Sequence, residues 1–160
     1  YALLALVLVI LDQVVKYLVL TYIPLGGYVP FLPHIACLTY VQNTGAAFSM
    51  FSQHTWILAL ISLVMSVVLA VALWKNFFTH PLGKVTLALL LAGAVGNLID
   101  RTLRGFVVDM FQLLFMNFAV FNVADICVVV GGIAAAAYYL LLADKLEHKE
   151  APHGTADADR

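Results

Sequence analysis

Charge is what this chain has least of. Of its 160 residues only 11% are Asp, Glu, Lys or Arg, 64% are hydrophobic, and mean hydropathy is +1.01. That excludes an ordinary soluble domain, in which about a quarter of residues are charged. No basic run occurs, so a nucleic-acid partner is not expected. Cysteine is scarce as well. Cys37 and Cys127 lie far apart with no Cys-x-x-Cys spacing, and Cys127 sits inside an apolar run, where a free thiol behaves as a small hydrophobe. A disulfide framework is therefore unsupported. The five histidines never fall at metal-ligand spacing, so neither a metal nor another cofactor is expected. Ser-Lys and Ser-His arrangements are missing, and so is the Gly-x-Gly-Asp motif of one class of intramembrane protease.

What the chain does have is apolar length. A helix needs about 20 mostly apolar residues to cross the hydrocarbon core of a membrane. Four stretches meet or approach this, over about 1–22, 56–74, 85–101 and 120–142. The second carries no charge and has Trp56 and Trp74 at its ends, as expected of aromatic anchors at two interfaces. Four such runs leave too little polar surface to cover them in water. The expected fold class is an all-α membrane protein with four transmembrane helices and a small strand-rich extracytoplasmic cap. Residues 1–146 are expected to form a single membrane domain, with the cap over about 23–55 and an outer linker over 102–119. The cap is rich in turn formers (Pro24, Gly26, Gly27, Pro30, Pro33) and holds a β-prone run at Leu38 to Val41. The linker, dense in Phe, Leu, Met and Val, is expected to lie at the membrane interface. Residues 147–160 are polar and expected to be a disordered cytoplasmic tail. Opening on Tyr1 rather than Met is expected of a chain that lacks its first residues.

Lysine and arginine placement orients the spans. Lys75 and Lys84 lie between the second and third spans, Lys145, Lys149 and Arg160 follow the fourth, and none occurs from Thr21 to Thr55. The positive-inside rule then puts both termini in the cytoplasm and the first and third loops outside. Arg101 and Arg104 fall on the outer side against this trend.

An ionisable side chain in a membrane helix costs at least about 2.5 kcal/mol at the helix centre, and so suggests function. Asp100, Arg101, Asp109, Asn122 and Asp125 converge on the outer boundary, with Asp12 and Lys16 deeper on the first span. Each has a plainer reading. Asp12 and Lys16, at i and i+4, can form an internal ion pair. Arg101 can clamp Asp100 or a backbone carbonyl, with Asn97 on the same helix face. Asp109, in Val107-Val108-Asp109-Met110-Phe111, has no adjacent cation and is hardest to explain as structure. Two nearby carboxylates cannot both ionise, so they share a proton. One can then take a proton from an attacking water while the other donates to a peptide carbonyl. Spacing alone does not show that Asp109 and Asp125 meet.

The blocks Asp12-Gln13-Val14-Val15-Lys16, Asn43-Thr44-Gly45-Ala46-Ala47-Phe48, Gly96-Asn97-Leu98-Ile99-Asp100-Arg101, Val108-Asp109 and Phe121-Asn122-Val123-Ala124-Asp125 resemble the ordered motifs of lipoprotein signal peptidase, type II. The resemblance implies an aspartic endopeptidase of the bacterial inner membrane, its site at the outer face, that cuts diacylglyceryl-modified prolipoproteins before the lipidated cysteine. It implies that Asp109 and Asp125 are the catalytic dyad. Asn43, Gly45, Asn97, Asp100, Arg101 and Asn122 would line or brace the site, with Asp12 and Lys16 in support. Membrane lipids and globomycin-type cyclic peptide inhibitors are the implied further partners, with no obligate protein partner. The alternative is a small proton-coupled transporter relaying protons through Asp12, Asp109 and Asp125, which would need acids spread along a transmembrane path.

Overall fold

The computed structural model describes residues 1–45 and 55–140. The cap residues from Ala46 to His54 and the expected cytoplasmic tail lie outside the described residues. Among the described residues there are four helices, α1 (Ala2–Tyr22), α2 (Thr55–Trp74), α3 (Pro81–Leu103) and α4 (Val123–Tyr138). Three strands, β1 (Tyr28–Leu32), β2 (Ala36–Asn43) and β3 (Val107–Leu113), form one antiparallel sheet in the order β1-β2-β3.

Burial in the helices runs opposite to that of a soluble protein. On α1 the buried positions are Ala5, Asp12, Lys16 and Val19, one stripe at helical spacing, while Leu3, Leu6, Val7, Ile10 and Leu11 face outward. Polar groups lie inside and aliphatic ones outside, as a hydrocarbon solvent requires. Among the described residues α1, α2 and α3 are long and apolar enough to cross a membrane. The fourth expected span is only partly described. Helix α4 is apolar but has 16 residues, about 24 Å at 1.5 Å per residue.

Helix α3 is central, packing against α1, α2 and α4. Its start is set by His80, whose Nδ1 accepts from Leu82 N at 3.2 Å, and by Pro81 in the first turn. Its end is set by Gly105, at φ +78°, a conformation glycine adopts without strain. That turn sends the chain directly into β3. The middle of the expected linker, Val107–Leu113, is therefore the third strand of the sheet, with Asn43 opposite Val107 and Val41 opposite Asp109, while its first residues, Thr102 and Leu103, belong to α3. Val108 and Met110 are fully buried in a cluster with Val19, Ile23 and Tyr40, which seats the sheet on the C-terminal end of α1. Strand alternation turns Asp109, between them, to the other face.

Candidate active site

One asparagine holds the centre. Asn122 caps α4: its Oδ1 accepts from Asp125 N at 2.9 Å, and Asp125 Oδ2 accepts from Asn122 N at 3.1 Å. The Asn122 amide is then free to donate to Asp109 Oδ1 at 2.7 Å and to Asn97 Oδ1 at 3.2 Å. Asn97, on α3, donates to Asp125 Oδ1 at 2.8 Å. Asn43, at the end of β2, donates to Asp109 Oδ2 at 2.9 Å and accepts from Gly45 N at 2.9 Å. Carboxylates on β3 and α4 are thus tied to a common asparagine, with a second asparagine on the far side of each.

A second tier lies beneath. Lys16, fully buried, contacts Asp12 Oδ2 at 2.9 Å, Asp100 Oδ2 at 3.0 Å and Asn97 Oδ1 at 3.1 Å. Asp12 Oδ1 accepts from Ala124 N at 2.9 Å, so an anion on α1 meets the positive end of α4. Asp100 also accepts from Val108 N at 3.0 Å, from Gln13 and from Arg104. Through Val108 this carboxylate holds the residue next to Asp109. A lone buried charge would be costly; here two carboxylates surround one ammonium, and each has further donors.

Asp109 is 1% exposed. Burial raises its carboxyl from the ordinary 3.8 to about 6. The Asp125 charge adds to the rise, and hydrogen bonds from Asn43 and Asn122 oppose it. Two hollows flank the pair. An apolar groove of about 220 Å³ between α2, α3 and α4 is lined by Met65, Leu69, Leu90 and Val128 and reaches Asn97 and Arg101. A more polar cleft of about 440 Å³ is lined by Gln42, Asn43, Thr44, Asp109 and Asn117.

A family profile described as Signal peptidase (SPase) II matches residues 4–141. The chain belongs to the signal peptidase II family. It is 43% identical to the lipoprotein signal peptidase of Enterococcus faecalis, covering 97% of this chain and 95% of that one. With the lipoprotein signal peptidase of Streptococcus pneumoniae identity is 45%, over 81% and 85% of the two chains. A solved bacterial membrane enzyme matches with TM-score 0.82 and 31% identity, covering 98% of this chain and 93% of its own. A second matches with TM-score 0.78 and 33% identity, over 88% and 92%. The signal peptidase II family is one of membrane proteases that process lipoproteins, and the fold here is shared along nearly the whole chain.

Of the residues picked out in the sequence, Asp12, Lys16, Asn43, Asn97, Asp100, Asp109, Asn122 and Asp125 fall into one connected network, and Gly45 joins it by its backbone N–H. Arg101 behaves differently. It makes no ion pair with Asp100; its guanidinium donates to Ser62 on α2 at 3.2 Å, and its buried Nε has no partner among the described residues. The clamp on Asp100 is Arg104, four residues on, where the side chain returns to the same helix face. Sequence reasoning also passed over Gln13, which donates to Asp12 at 3.1 Å, Gly96 O at 3.2 Å and Asp100 at 3.3 Å. A glutamine inside an apolar span was the available signal.

Proposed function

We propose that this chain is an aspartic endopeptidase that removes the signal peptide from diacylglyceryl-modified prolipoproteins, cutting before the lipidated cysteine. The observation that carries the reading is the Asn122 bridge, in which the side-chain amide donates to the Asp109 carboxylate and the backbone N–H of the same residue to that of Asp125, near an apolar groove and a polar cleft. In the reaction the ionised member of the pair takes a proton from water, whose oxygen bonds to the scissile carbonyl carbon. The protonated member gives its proton to the carbonyl oxygen. Collapse of the tetrahedral intermediate breaks the C–N bond, and the departing nitrogen receives a proton, leaving a carboxylic acid and an amine. Asparagine donors on both carboxylates keep them oriented through the exchange.

The relatives are named lipoprotein signal peptidases, which supports a prolipoprotein substrate. The apolar groove suits the signal segment and acyl chains. In this reading α4 completes a fourth span within a single membrane domain, both termini are cytoplasmic, and the site faces outward in the bacterial inner membrane. Globomycin-type peptides would compete for the same groove and dyad. The transporter alternative needs acids along a path; Asp12, Asp100, Asp109 and Asp125 instead converge on one cluster.

The test is to incubate purified protein in detergent with lipidated and unlipidated forms of one precursor. Release of signal peptide from the lipidated form alone is expected. Cleavage of neither would remove the assignment.

A further inference from the structure

One hollow reaches the donor to Asp125 and the other is lined by Asp109, and their chemistry differs. Asn97, the donor to Asp125, lines the apolar groove between helices; Asp109 and its donor Asn43 line the polar cleft. The cleft takes its other polar groups from Gln42, Thr44 and Asn117, and its wall from residues 117–120. Gln42, Thr44 and Asn117 are exposed, so amides and a hydroxyl stand ready at the water side. Among the described residues neither Lys nor Arg lines it, and its single ionisable group is Asp109.

We infer that this cleft is a subsite for the residues that follow the lipidated cysteine, and that it selects a short extended segment of neutral or basic residues against acidic ones. The inference rests on the peptidase reading above. An apolar signal segment and acyl chains belong in the groove, so the polypeptide leaving the scissile bond on the other side must run outward past Asp109. Side-chain amides can donate to and accept from a peptide backbone of any sequence, which suits a site serving many substrates. An acidic side chain placed there would face Asp109, which is itself buried, so that like charges repel more strongly than in water.

The test uses the purified protein and a lipidated precursor whose second and third residues after the cysteine are Ser, Lys or Asp. A further form ends in an amide directly after the cysteine. Asp should raise KM about tenfold over Ser with kcat little changed, which corresponds to about 1.4 kcal/mol of binding; Lys should match or better Ser. Asn117→Trp, which fills the cleft from an exposed position, should raise KM for the long precursors several-fold more than for the truncated one. A merely structural effect would weaken both alike. Equal KM across the series, or equal losses for long and truncated forms, overturns the subsite. If no precursor is cleaved, the peptidase reading fails and the subsite falls with it.

Discussion

Asn122 and Asp125 cap α4 reciprocally, each side chain accepting the other's backbone N–H. The same two side chains touch the rest of the site, so helix start and carboxylate orientation are one structural event. Asn122→Asp separates the two roles. An aspartate keeps the cap but turns an acceptor toward Asp109 and Asn97 where an amide donated. Cleavage should be nearly lost while the helix start persists. Asn122→Ala should lose the cap too, about 1 kcal/mol. Thermal melts in detergent beside cleavage assays check this; full activity in Asn122→Asp would contradict the bridge.

Lys16 should be the most costly single truncation in the lower tier. Lys16→Met leaves Asp12 and Asp100 buried without their shared cation, a loss of about 3–5 kcal/mol. Arg104→Gln should cost less, because Arg104 is 25% exposed and Lys16 still holds Asp100. Comparing the two melting temperatures decides the order.

Close approach of α3 to α4 depends on Gly93. A Cβ there would lie 2.5 Å from Ala124 O and from Val128 Cγ2, and backbone cannot yield as a flexible side chain can. Gly93→Ala should destabilise by about 1–3 kcal/mol. Gly132→Ala, with nothing within 4 Å, should change stability by less than about 0.5 kcal/mol. A melt series of both variants tests the contrast.

How much of this was legible in the chain varies by element. The apolar runs of α1, α2 and α3 could be read directly, because lipid-facing helices need apolar residues on their outer faces as well as between them. Strand β3 was hidden: Val107-Val108-Asp109-Met110-Phe111 is apolar at alternate and adjacent positions alike, since Val108 and Met110 pack on α1 while Val107 is buried too. The ionisable cluster stood out because membrane segments rarely contain such groups. Pairing within it did not, since Arg101 and Arg104 are both within reach of Asp100 and only backbone geometry selects Arg104.

Asp109 gives the pair a pH signature in stability. Its carboxyl, raised from 3.8 to about 6, holds its proton more tightly folded than unfolded. The folded state is therefore penalised as pH rises from about 4 through 6, fully above 6 and not at all below 4, by about 3 kcal/mol for a shift of about two units. Asp109→Asn removes that penalty and loses one accepted hydrogen bond, about 1 kcal/mol. The variant should melt higher than the parent at pH 8, with the difference falling as pH drops and reversing sign between about pH 5 and 4, where the penalty fades and the lost hydrogen bond remains. An unchanged difference across that range would show that Asp109 is not so perturbed.

Cleavage by the dyad variants tests the central claim most directly. Asp109→Asn and Asp125→Asn are each assayed on a lipidated precursor, with folding checked by melt and binding by competition. An amide fits where the carboxylate was, yet it cannot take a proton from water or hand one on. Each single variant should bind precursor and release almost no signal peptide. The double variant should be little worse, because the two carboxylates act as a unit. Substantial cleavage by either folded single variant would contradict the account.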